Sequence, residues 1–214
     1  LIEDCAHTIG GKYHEDWLGG FGDFSFFSFG RSKAISSVNG GMVVCNNDNL
    51  KTNLEMEYSK LAEVNSLSIF RTLMHPIICS IAKFFYGIGK IGQMIMIVSQ
   101  FLGVLTMEVS FNEKISNVPR FPSRKLPNAM AKLALIQLTF IKNFNKHRKD
   151  LTEFYNKNLI GLKNIKLFKV SEGNFLLRYP LLVSNQQKIL NNLKSQKIYL
   201  GNWYKTPIAP PDID

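Results

Sequence analysis

The chain has 214 residues, 45% hydrophobic and 20% charged, which suits one large or two small globular domains with a real core and excludes wholesale disorder. Its 26 Lys and Arg against 16 Asp and Glu give a net charge of +10, compatible with phosphorylated small molecules, anionic lipid or nucleic acid. No basic tract interleaved with aromatics marks a nucleic-acid surface, and none is expected as a partner. Cys5, Cys45 and Cys79 are odd in number and sit in apolar surroundings, reading as reduced thiols of a cytoplasmic protein. No Cys/His spacing suits zinc, so no metal is expected.

Leu1-Ile2-Glu3-Asp4 reads as the end of a buried strand, and Pro210-Pro211-Asp212 as the inside of a loop, so the chain is expected to be a piece of a longer protein. Asp23 to Phe29 alternates like a half-buried strand, and Gly40-Gly41 introduces a second, Met42 to Cys45. Asn46-Asn47-Asp48 offers an N-cap for a helix running to about Val64. From Ser66 to Met107 the composition shifts to Ile, Phe, Met, Leu and Gly. A polar, proline-containing connector at 113–128 follows, then a helical pattern over 128–158. After Gly161 the pattern is strand (165–168), strand (175–183), helix (186–193) and strand (198–204), a small α+β module. The division expected is 1–65, part of a large α/β domain; 66–112, an apolar helical insertion; and 113–214, a bridging helix with a small C-terminal domain.

Three features carry chemistry. Asp4 closes a strand, where α/β folds collect site residues. Lys33 leaves a second strand through Gly30-Arg31-Ser32, while Ser28, Ser32, Ser36 and Ser37 supply hydroxyls for phosphate. A lysine to hold an aldehyde as an imine, a carboxylate to keep a pyridine nitrogen protonated and phosphate donors are the parts pyridoxal 5'-phosphate (PLP) needs. On spacing alone, a strand-end Asp and a loop Lys are solvated more often than they are catalytic.

The residues themselves narrow this. Ile2-Glu3-Asp4-Cys5-Ala6-His7-Thr8-Ile9-Gly10, Leu18-Gly19-Gly20-Phe21-Gly22-Asp23, Phe27-Ser28-Phe29-Gly30-Arg31-Ser32-Lys33 and Asn39-Gly40-Gly41-Met42-Val43-Val44 resemble, in order and spacing, four blocks of the DegT/DnrJ/StrS family of sugar aminotransferases. Residues 128–155 resemble that family's bridging helix. The resemblance implies an aspartate-aminotransferase-like α/β fold (PLP fold type I), here partial, with a small C-terminal α+β domain. It implies a homodimer using PLP, a nucleotide-linked keto-sugar and an amino acid donor in cytoplasmic polysaccharide or glycoconjugate biosynthesis. By the same resemblance Lys33 bonds the cofactor and moves the proton, and Asp4 pairs with the pyridine nitrogen. His7 lies near the ring, and Ser28 donates to the phosphate. Gly30-Arg31, Asn39 and Asn202-Trp203-Tyr204 depart from the family's usual residues, leaving loop shape and substrate contacts open. A sugar dehydratase of the same family is the alternative, disfavoured because those relatives carry His in place of the lysine. A non-catalytic protein of the same fold is another.

The insertion exceeds what most of the family carries. Its charge-free run, Ile91 to Met107, is 17 residues, against about 20 apolar residues for a membrane span. Packing on the protein, contact of 68–107 with a membrane surface, and spanning are the three readings open here.

Overall fold

The computed structural model describes residues 1–105, 123–170 and 174–201. They form two compact units: residues 1–105 with 123–145, and residues 146–170 with 174–201.

The first unit is built on a three-stranded sheet in the order β1 (Ile2–Asp4), β4 (Phe24–Ser28), β5 (Gly41–Cys45). β1 and β4 are parallel with Asp4 opposite Phe26, whereas β4 and β5 are antiparallel with Ser28 opposite Gly41. A parallel pair requires a long crossover. Here residues 5–23 supply it, carrying a small hairpin of β2 (Lys12–Tyr13) and β3 (Asp16–Trp17) that sequence periodicity does not announce.

α1 (Asp48–Ser59) is capped by Asn47, whose side chain accepts from the Asn49 N–H. It stops short of Val64 because Ala62 bridges to Arg124 and the Lys125 N–H donates to the Ala62 carbonyl at 3.0 Å, drawing the chain into an extended form. α2 (Ser66–Phe84) and α3 (Ile91–Phe101) make up the apolar insertion. They pack on each other, and neither packs extensively on another described element. The helical pattern at 128–158 is two helices, α4 (Asn128–Leu138) and α5 (Ile141–Leu159). The break falls at Thr139-Phe140, β-branched and aromatic residues of modest helix propensity, where the Thr139 hydroxyl turns back to the Ile136 carbonyl at 2.7 Å. The core of this unit joins Phe29, Ile35 and Ala134, with Ile9, Phe27, Leu126 and Ile141 packed around them. It therefore lies beneath the loop that carries Lys33.

The second unit holds the later turns of α5, an antiparallel pair of β6 (Ile165–Leu167) and β7 (Leu181–Val183), and α6 (Gln186–Ser195). Asn185 caps α6 by accepting from the Lys188 N–H. The strand expected over 175–183 is shorter. Pro180 lacks the N–H a ladder needs, and the Tyr179 hydroxyl donates to Asn156 Oδ1 at 2.5 Å, tying this stretch to α5. Residues 198–201 form no strand, and Asn202-Trp203-Tyr204, like most of the 113–128 connector, lie outside the described residues.

Candidate active site

Side chains alternate across a strand, so the neighbouring carboxylates of β1 serve opposite faces. Glu3 turns toward the Gly19–Gly22 turn, where it accepts from the N–H groups of Gly19 (3.0 Å), Phe21 (2.6 Å) and Gly22 (2.7 Å). These backbone donors, that of Gly22 foremost, hold its carboxyl below the usual carboxylate range against the opposing effect of burial. Asn46 completes the clamp, its Nδ2 donating to the carbonyls of Gly19 at 2.8 Å and Gly22 at 2.9 Å. The turn must be this tight. Gly19 has φ +100°, and a Cβ there would meet Phe27 Cζ at 2.7 Å; one on Gly22 would meet the Leu1 carbonyl oxygen at 2.8 Å.

Asp4 occupies the other face, exposed, with Oδ1 accepting from the Ala6 N–H at 3.0 Å. That bond sets the carboxylate's direction at the strand end. The register carries the same face onto Phe26 and, two residues on, to Ser28. Asp4 and Ser28, proposed from sequence at unrelated positions, thus share one sheet face. Ile2 (68%) and Val43 (52%) leave that face open. His7 is exposed in the turn just beyond Asp4.

Past Ser28 the chain runs into a compact loop. The backbone N–H of Phe29 donates to the Gly40 carbonyl at 2.8 Å, that of Lys33 to the Gly30 carbonyl at 3.1 Å, and that of Ser37 to the Phe29 carbonyl at 3.0 Å. Lys33 sits half-buried at the start of this loop. Ile35, almost wholly buried at 1%, anchors it in the core. The serines divide by task. Ser37 is wholly buried, its hydroxyl donating to the Asn39 carbonyl at 2.8 Å, and Ser36 Oγ accepts from the Val38 N–H at 3.0 Å. Both hydroxyls shape the loop, whereas Ser28 Oγ makes a longer 3.4 Å contact with the Gly30 N–H. Val38 has φ +73°, a costly conformation for a β-branched residue, imposed by the surrounding bonds.

Two residues within 128–155, the stretch that resembles the bridging helix, have roles that residue type alone does not assign. Gln137 on α4 grips the peptide of Ser36: its Oε1 accepts from the Ser36 N–H at 3.1 Å and its Nε2 donates to the Ser36 carbonyl at 2.5 Å. Asn145 on α5 donates from Nδ2 to the Ile9 carbonyl at 3.1 Å. One amide thus pins the Lys33 loop and another the loop that follows Asp4. The available signal was an amide on an otherwise apolar stretch, Leu133 to Leu138.

A sheet face bearing a carboxylate and a hydroxyl, with a lysine on the loop leaving the same strand, fits one wall of a PLP site. Residues 1–64 and 107–211 match the sequence model of the DegT/DnrJ/EryC1/StrS aminotransferase family. The chain belongs to that family. A GDP-perosamine synthase of Escherichia coli O157:H7 is 50% identical over 50 residues, 23% of this chain and 14% of that protein. The solved sugar aminotransferase CalS13 from Micromonospora echinospora superposes with a TM-score of 0.59 at 19% identity, over 92% of this chain and 43% of that one. The Escherichia coli GDP-4-keto-6-deoxy-D-mannose-3-dehydratase with bound hydrated PLP gives 0.57 at 13% identity, over 92% and 44%. These structures show the fold: a partial PLP fold type I architecture. The chain spans less than half the length of each of these relatives.

Proposed function

We propose that the protein containing this chain transfers an amino group from an amino acid to a nucleotide-linked keto-sugar, using PLP, for polysaccharide or glycoconjugate synthesis in the cytoplasm. The observation that carries this reading is the shared sheet face of Asp4 and Ser28, with Lys33 on the loop that leaves β4, in a chain of the sugar aminotransferase family. PLP bound here supplies an electron sink for labile C–H bonds next to nitrogen. Asp4 supplies a fixed negative charge for the pyridine nitrogen, its direction set by the Ala6 N–H. Ser28 supplies a hydroxyl for the phosphate, and His7 a ring at the edge of the same region. Lys33 would hold the cofactor through its amine and would serve as the base that moves the proton. Lysine at this position favours transamination over the dehydratase alternative, whose family members carry His there.

A homodimer, and membrane-surface contact through 68–107, belong to the same proposal. The test is spectroscopic. The full-length protein should show the visible absorbance of lysine-bound PLP and lose it in Lys33→Ala. Amino transfer to a nucleotide-linked 4-keto-sugar should fall by at least about a thousandfold, the loss expected when a covalent and proton-transfer residue is removed. A wild-type protein that binds no PLP would instead establish the non-catalytic reading.

A further inference from the structure

The family match stops at residue 64 and resumes at 107, leaving the segment between outside it. Its two helices turn their apolar surfaces outward. On α2, Leu67, Phe70, Ile77, Ile81 and Phe84 follow one another at helical spacing and are all exposed, Phe84 at 78%. On α3 the exposed set is Ile91, Met94, Ile97, Val98 and Phe101, the last at 89%. In a soluble helix these stripes would face the core. Several polar side chains of α2 meanwhile find partners within the helix: Thr72 donates to the Ser68 carbonyl and Ser80 to the Pro76 carbonyl, each at 2.8 Å, and Cys79 lies 3.6 Å from His75. The helices meet at Gly92, where a Cβ would lie 2.3 Å from the Ala82 carbonyl oxygen, the close backbone approach that small residues allow in lipid.

Charge and chain path identify the occupant and its mode. No Asp or Glu occurs from residue 64 to residue 107, while Arg71, Lys83 and Lys90 do. A second copy would bring these cations together without the opposite charges that specify a helix pair. The chain before the insertion and the chain from residue 123 onward are joined by the Ala62–Arg124 bridge and the 3.1 Å ion pair of Lys125 with Glu63. Chain leaving and returning at one point must cross a bilayer an even number of times. α2, with 19 residues, is about 28 Å long at 1.5 Å per residue and matches the roughly 30 Å hydrocarbon thickness. α3, with 11 residues, reaches only about 16 Å, and the sequence after it soon carries Glu108, Glu113 and Lys114.

Building on the membrane-contact reading above, we infer that the α2–α3 hairpin is an in-plane anchor for an anionic lipid leaflet. Its apolar stripes enter the acyl boundary, its cations meet headgroup phosphates, and it does not cross. The experiment floats the full-length protein with vesicles of phosphatidylcholine, with and without phosphatidylglycerol. Wild type should float with the anionic vesicles. Lys83→Glu with Lys90→Glu, and separately Phe84→Asp with Phe101→Asp, should each reduce recovery at least about tenfold while thermal unfolding is unchanged. Lys83 and Lys90 should also react with an impermeant amine reagent added outside sealed vesicles. Equal flotation on both vesicle types would overturn the anionic preference while leaving membrane contact standing, and protection of both lysines would overturn the in-plane mode. No flotation at all, with the phenylalanine variant shifting from dimer to monomer in sedimentation, would hand the surface to a second copy. The cofactor absorbance is read separately, so failure here leaves the aminotransferase reading intact.

Discussion

Glu3 and Asp4 are adjacent carboxylates with separate employment. Strand alternation sends Asp4 to the face it shares with Ser28 and Glu3 into three backbone N–H groups of the Gly19–Gly22 turn. Glu3→Gln keeps the side chain's size but removes the charge those donors favour, so it should lower the melting temperature at neutral pH. The pH dependence has a definite sign. A carboxyl whose pKa is depressed by folding contributes stability above its unfolded value, near 4.5, and loses it as pH falls through the depressed folded value. Melting curves from pH 7 down to pH 3 should therefore converge for wild type and Glu3→Gln at the acid end. Asp4→Asn should leave melting nearly unchanged, since the Ala6 N–H retains an acceptor, yet lower PLP retention in the full-length protein measured by dialysis. Parallel loss of melting temperature in Asp4→Asn would make it a strand cap and nothing more.

At the scale of elements, α4 acts on the lysine loop through one amide. Gln137→Leu leaves the Ser36 N–H and carbonyl without partners in a half-buried setting, at a cost of about 1–3 kcal/mol, measurable by denaturant unfolding. Gln137→Glu keeps an acceptor for the N–H but sets oxygen against the Ser36 carbonyl, and should fall between wild type and Leu. Both should weaken Lys33-bound absorbance more than a matched surface substitution does, because the loop they release is the one bearing Lys33. In the hairpin, Gly92→Ala meets backbone, which cannot rotate away as a side chain can. It should cost about 1–3 kcal/mol and make the α2–α3 turn, residues 85–90, the first site of limited proteolysis.

For the whole molecule, the insertion is separable from the body that carries the site. Ala62, before it, pairs with Arg124, and the core of Phe29, Ile35 and Ala134 contains none of its residues. Replacing 66–105 by a short Gly-Ser linker should change the unfolding free energy of the full-length protein by no more than about 1 kcal/mol, since loop length weighs only logarithmically. Cofactor absorbance should persist in that variant. Its loss would show that the hairpin supports the site itself.

Much of the candidate site is legible in the chain alone because its parts are local. Phe27 to Lys33 and Ile2 to Gly10 are contiguous blocks whose residue types carry their own chemistry, and the strands beneath them are short apolar runs that glycines and polar residues bound. The ends of elements were less legible, since distant partners decide them. α1 stops at Ser59 because Ala62 pairs with Arg124, and the strand before Leu181 is lost to Pro180 and the Tyr179 bond. The sequence by itself determined which residue types are on offer: a lysine, a carboxylate and a hydroxyl near strand ends, and a cationic apolar insertion. Only the tertiary structure decided that Asp4 and Ser28 share a face, that Gln137 reaches Ser36 across 101 positions of sequence, and that Ala62 pairs with Arg124. Register and long-range pairing depend on which backbone groups find one another in space, and no local pattern of residue types specifies that.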